Sequence, residues 1–253
     1  MNRPEREEGR MTYCVGLCLQ AGIIMLGDTR TNAGVDNIST FSKLQVIEQP
    51  GERVIGICTA GNLAITQAVS GHLQQGVQLD GQRRHLSDVA NMFQAAQLVG
   101  AAVRAVFAAD GLTLAAQGIG FDCSLLVGGQ IGAEAPRLFL IYAAGNFIEA
   151  TADTPFLQIG EHKYGKPILD RGLTFDTSLS DGLKLALVSM DSTLRSNLTV
   201  GLPMDLLMLR RDGLRIAQWR RIADDDPYFT KVRQGWSSAL RAAYLALPAP
   251  DWV

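Results

Sequence analysis

The chain has 253 residues, of which 47% are hydrophobic and 19% charged, enough for one large domain or two small ones with a sizeable core. A net charge of −2 leaves no basic footprint for nucleic acid or an anionic membrane surface. The apolar stretches read as interrupted short of bilayer-spanning length, and MNRPEREEGR at the start lacks the apolar segment of a signal peptide, so the expectation is a soluble, cytoplasmic protein.

In chain order, Tyr13 to Gln20 and Ile23 to Asp28 are apolar runs split by Ala21-Gly22, the pattern of a strand hairpin. The polar TRTNAGVDNIST that follows is too long for a tight turn. Two further strands, Lys43–Glu48 and Arg53–Thr59, flank QPGE, where proline presets φ and glycine supplies φ > 0. The period then changes to helical in NLAITQAVSGHLQQGV and again from Leu86 to Phe107, with Ser87 as the expected N-cap.

Strands return in FDCSLLVGGQI, PRLFLIYAAG and NFIEATA, and helical periods in 161–169 and SLSDGLKLALVSMDSTLRS, with Ser178 or Ser180 as cap. Leu206–Arg211 and Leu214–Arg221 flank Asp212-Gly213, which predicts a type I′ hairpin. Tyr228 to Leu247 alternates basic and apolar residues as an amphipathic helix, with Trp236, Leu240, Tyr244 and Leu247 on one side as a candidate contact face. Runs of strands and runs of helices, with no repeat or linker, predict a single α+β domain with antiparallel sheets.

The inventory of reactive groups is narrow. Cys14, Cys18, Cys58 and Cys123 sit in apolar segments without metal spacing and read as buried reduced thiols. Three histidines far apart (His72, His85, His162) offer little for a zinc site or a Ser-His-Asp triad, and no metal or cofactor is expected.

Three features near the N-terminus are each commonplace alone: Thr12 after Met11, Asp28 ending the second strand, and Lys43 opening the third. Hairpin geometry lets them meet. With Met11 removed, Thr12 carries a free α-amine beside its own hydroxyl, which makes nucleophile and base one residue. That amine has an ordinary pKa near 8 and is partly neutral at working pH. A nearby lysine favours its neutral form and steadies the alkoxide, and Asp28 keeps the lysine charged and oriented.

The pattern MTYCVG…GDTR…NISTFSKL…CTAGNLA resembles the N-terminal-threonine hydrolases of the proteasome β-subunit and HslV superfamily, most of all their Anbu (ancestral β subunit) branch, over nearly all of residues 12–247. The resemblance implies a four-layer αββα sandwich with two antiparallel sheets, the N-terminal nucleophile hydrolase fold. It assigns Thr12 as nucleophile, Asp28 as the carboxylate orienting Lys43, and Lys43 as the lysine that activates the threonine. Thr31 and Asn32 match the strand edge along which a peptide lies by β-augmentation. Gly61 matches the oxyanion-hole glycine before the first helix. SMDSTLRSN matches the region of an aspartate and a serine near the threonine amine, placed at Asp191 and Ser196.

Some positions depart from the pattern. Tyr13 stands where many relatives repeat threonine, and IGEHKYGKPILDR replaces a glycine- and serine-rich stretch with a further active-site serine, putting Glu161, His162 or Lys163 there. Residues 1–11 are expected to be absent from the working protein, either as a propeptide or because translation begins at Met11, the favoured alternative. The resemblance further implies self-association into rings or open helical assemblies, a peptide or unfolded-protein substrate, and an ATPase or accessory partner that the sequence does not identify. Two other readings remain: an amidohydrolase of a small or isopeptide amide, and a catalytically silent structural ring subunit.

Overall fold

The computed structural model describes residues 12–32 and 38–252; Met11, the segment before it, residues 33–37 and Val253 lie outside the described residues. Its first hairpin pairs β1 (Tyr13–Leu19) with β2 (Gly22–Asp28), Cys14 facing Gly27 and Leu19 facing Gly22. Every residue of both strands is buried, because both faces of this sheet are covered. The polar segment after it is not a plain connection: β3 (Arg30–Asn32) and β4 (Ile38–Thr40) form a short antiparallel ribbon. β5 (Leu44–Gln49) and β6 (Arg53–Gly61) follow, joined by the expected turn.

Asn62 caps α1 (Leu63–Gln75) by accepting the backbone N–H groups of Ala64 and Ile65. Next comes a small hairpin that sequence reading passed over, β7 (Val77–Leu79) with β8 (Gln82–Arg84). Its Asp80-Gly81 turn, both at positive φ, was legible as a hairpin signal.

The second long helix is α2 (Met92–Ala116), shifted from the expected Leu86–Phe107. Its cap is Asn91, which accepts from Gln94 N, whereas Ser87 and Asp88 close a turn on His85 N. At 25 residues α2 has the length and apolarity of a bilayer-crossing helix, contrary to the expectation that no stretch reaches it. Its apolar face is spent on α1 and the adjoining sheet, as in a core helix.

β9 (Cys123–Ile131), β10 (Arg137–Ile141) and β11 (Phe147–Glu149) are the three expected strands, but β12 (Phe156–Gly160) is a fourth, outside the sequence reading. The helix expected over 161–169 is α3 (Lys166–Gly172), begun by Pro167 in its first turn. α4 (Leu179–Ser196) is capped by Ser178, whose hydroxyl accepts from Asp181 N. β13 (Met204–Arg210) and β14 (Ile216–Ile222) pair across a longer loop than the predicted two-residue turn. Asp212 and Leu214 take positive φ there and a register shift follows Met208, so the type I′ expectation fails. α5 (Pro227–Leu245), capped by Asp226, is the last helix among the described residues.

Apart from the two ribbons β3–β4 and β7–β8, the strands among the described residues form two five-stranded antiparallel sheets ordered β12-β1-β2-β13-β14 and β11-β10-β9-β6-β5. Ile23, Met25, Leu138 and Leu207 fill the space between the sheets. Leu17, Leu26, Leu187 and Met190 join the first sheet to α3, α4 and the start of α5, while Ile55, Val69, Val99 and Val127 join the second to α1 and α2. The result is the four-layer αββα sandwich. All four cysteines are buried and unpaired. Phe229 is the buried residue of α5, and Leu240, Tyr244 and Leu247 are exposed beyond it.

Candidate active site

The missed strand positions the site. β12 lies antiparallel beside β1 with Tyr13 facing Gly160, and one step further Glu161 N donates to the Thr12 carbonyl at 2.7 Å. Gly160 has φ 78, and a Cβ there would overlap that same carbonyl, so only glycine lets the strand press this close. Thr12 is buried and lines a cleft of about 340 Å³ together with Gly61, Tyr142, Gln158, Gly160 and His162.

Behind Thr12 is a charged pair. The β1–β2 register carries Asp28 opposite Tyr13, and Asp28 Oδ1 accepts from both Tyr13 N at 3.1 Å and Lys43 Nζ at 2.8 Å. Its other oxygen accepts from Gly201 N at 3.2 Å. Lys43 Nζ also donates to Arg30 O at 2.6 Å, and Lys43 O accepts from Thr59 N at 3.0 Å, which ties the lysine to β6. Burial pushes the Asp28 carboxyl up from its ordinary value, while the Lys43 ammonium and the two backbone N–H groups pull it down.

Asp28, Lys43 and the start of β1 therefore meet as hairpin geometry anticipates. One carboxylate oxygen ties the peptide unit after Thr12 to the lysine. Gly61, at φ 110 where β6 gives way to α1, reaches the same cleft from the other sheet. Thr31 faces Ser39 in the ribbon, its buried hydroxyl without a hydrogen-bond partner among the described residues, and Asn32 faces Ile38.

Asp191 and Ser196 lie elsewhere. Asp191 is buried on α4 between two arginines, Arg195 and Arg233, each at 2.9 Å, and so ties α4 to α5. Ser196 is exposed at the last position of α4. Among the described residues neither hydrogen-bonds to Thr12, Asp28 or Lys43.

Two parts of the site were absent from the sequence reading. Gly201 N is delivered by a loop after α4, and nothing in the local sequence advertises it. Tyr13, read only as a departure, turns its phenol away from the cleft, with Tyr13 Oη 2.6 Å from Ser189 Oγ and hydrogen-bonded to Gln158 Nε2. Desolvation raises that phenol's pKa far above its ordinary value, and it stays neutral.

Antiparallel sheets layered between helices, with a threonine at the start of the first strand backed by a buried Asp–Lys pair, define a proteasome-type subunit. Residues 10–202 match the proteasome subunit family, and the chain belongs to it. Among solved structures it is similar to Anbu (ancestral β-subunit) from Yersinia bercovieri, at 50% identity and a TM-score of 0.87, over 95% of this chain and 99% of that one. It is also similar to Anbu from Hyphomicrobium sp. strain MC1, at 48% identity and a TM-score of 0.86, over 95% and 100%. The Anbu complex from Pseudomonas aeruginosa, solved as a helical assembly, matches at 49% identity and a TM-score of 0.87, over 94% and 98%. No curated protein matches.

Proposed function

We propose that this protein is a threonine peptidase that works once residues 1–11 are gone and Thr12 carries a free α-amine. The observation that carries the reading is Asp28 Oδ1, shared between Tyr13 N and Lys43 Nζ. It brings a buried ammonium to within one residue of the threonine, where it favours the neutral amine and steadies an alkoxide.

In the proposed reaction the amine takes the Thr12 hydroxyl proton as Oγ1 attacks the substrate carbonyl. Gly61 N–H faces the oxyanion, the ammonium returns its proton to the leaving nitrogen as the C–N bond breaks, and water then cleaves the ester with the amine again as base. The substrate is an extended peptide laid along Thr31 and Asn32. The helical assembly of the Pseudomonas aeruginosa relative supports self-association of this chain. The exposed Leu240, Tyr244 and Leu247 at the end of the chain suit such a contact.

A peptide epoxyketone tests this, because it needs both the hydroxyl and the free amine of an N-terminal threonine. The chain begun at Met11, shown by intact mass to start at Thr12, should take one equivalent on Thr12. Thr12→Ala and the chain retaining residues 1–11 should take none. Labelling that survives either change overturns the reading. Comparing extended peptides with isopeptides then separates a peptidase from an amidohydrolase of small amides.

A further inference from the structure

Glu161 is a buried acid that the mechanism above does not use. It is 7% exposed, at the start of the connection between β12 and α3. Its backbone is fastened to Thr12 O at 2.7 Å, and continuing the β1–β12 register sets it directly across from Thr12. Neighbours in that position of an antiparallel pair have Cβ atoms about 5 Å apart, within reach of a glutamate side chain. Gly160, where a Cβ would overlap the Thr12 carbonyl, leaves the room for this close approach.

The carboxylate is poorly served where it stands. Among the described residues the buried Glu161 Oε2 accepts no hydrogen bond, and the cation beside it, Lys163 Nζ, lies 3.6 Å away on a largely exposed side chain. An unsatisfied buried acceptor is costly, and more so when charged, so a native carboxylate in this position calls for a donor. In the chain as translated, residue 12 has only a peptide nitrogen. Removal of Met11 converts it to an amine with up to three N–H donors.

We infer that Glu161 is a positioning residue that receives the α-amine of processed Thr12. The inference rests on the proposed role of Thr12. Glu161 holds the amine against the hydroxyl and stabilises the ammonium formed when Oγ1 gives up its proton, without itself exchanging a proton. The amine sits in a field of opposed charges. Lys43 on the β5 side lowers its pKa, and Glu161, with Asp28 on β2, raises it. His162 lines the cleft and Lys163 stands beside Glu161, while Asp191 on α4 is engaged by Arg195 and Arg233.

The experiment uses the chain begun at Met11 and processed to Thr12, as parent, Glu161→Gln and Glu161→Asp. The α-amine is tagged by reductive methylation with ¹³C-formaldehyde and titrated by NMR, a readout that needs no turnover. Loss of the anion should lower the amine pKa by about one unit in Glu161→Gln, with a smaller shift in Glu161→Asp. In parallel, the midpoint of epoxyketone labelling against pH should move down by the same amount as the plateau rate falls about tenfold. An amine that titrates alike in parent and both variants overturns the inference, as does a shift matched by Glu161→Asp alone. If the amine shifts but Thr12→Ala still labels, the role of Glu161 stands and the assignment of Thr12 as nucleophile falls.

Discussion

Lys43 Nζ lies 2.8 Å from Asp28 Oδ1 and 2.6 Å from Arg30 O, with both side chains almost wholly out of water. Two buried charges repay their desolvation only when geometry and further hydrogen bonds are good, and here Tyr13 N and Gly201 N complete the carboxylate. Asp28→Ala removes the anion and leaves the lysine buried, so it should destabilise by about 3–5 kcal/mol in urea unfolding. Labelling of Thr12 should be lost with it. A loss below about 1 kcal/mol would mean that the pair is not buried in solution.

Lys43→Met behaves differently, because the partner left behind can neutralise itself. With the ammonium gone, only the Tyr13 and Gly201 N–H groups still oppose burial, and the Asp28 carboxyl is raised further than in the parent. A raised carboxyl binds its proton more tightly in the folded state, so its contribution is full below the unfolded pKa of about 3.9 and is lost as pH rises through the folded value. The stability deficit of Lys43→Met relative to the parent should therefore shrink as pH falls from 8 toward 5. Thermal unfolding across that range checks it, and a deficit that stays constant or grows on acidification refutes the protonated Asp28.

Gly160→Ala and Gly51→Ala separate backbone strain from close approach. Both glycines have φ near 80, so each substitution costs on the order of 1 kcal/mol from φ alone. Nothing lies within 4 Å of a Cβ at position 51, whereas one at position 160 meets the Thr12 carbonyl. Gly160→Ala should therefore lose clearly more stability than Gly51→Ala and cut the labelling rate of Thr12 by at least about tenfold. Equal effects on labelling would show that the β1–β12 contact does not govern the threonine.

The order of elements along this chain reflects how local its signals are. The first hairpin, the turn at Gly51 and the cap at Ser178 are encoded within a few residues and can be read in sequence. β12 could not be, because FLQIG is short and becomes a strand only through pairing with β1, a contact far along the chain. The site divides in the same way. Thr12, Asp28 and Lys43 lie on one hairpin and its continuation, and their meeting follows from strand geometry. Gly201 and Glu161 reach the same place by long-range packing, and Asp191, expected near the threonine amine, is turned to the arginines of α4 and α5. Spacing carries no information about which way such a helix faces.

Asp226 provides a test of the helix that Asp191 holds. Its carboxylate caps α5 by accepting from Tyr228 N at 3.0 Å and Phe229 N at 2.9 Å, and it pairs with Arg220 at 2.5 Å. The hydrogen bond from Phe229 N is the main reason its carboxyl lies below the ordinary range. Loss of an N-cap costs about 1–2 kcal/mol, so Asp226→Ala should fall by that much, whereas Asp226→Asn keeps an accepting oxygen and should lose less than about 1 kcal/mol. A lowered carboxyl contributes stability above the unfolded pKa near 3.9 and loses it as pH falls through the folded value. The gap between parent and Asp226→Asn should therefore be steady from pH 8 to 5 and close only below about pH 4. Thermal unfolding of the two proteins over that range decides it. A gap that closes already near pH 6 would assign the stabilisation to another group, and no gap between parent and Asp226→Ala at pH 7 would mean that α5 is not held by this cap.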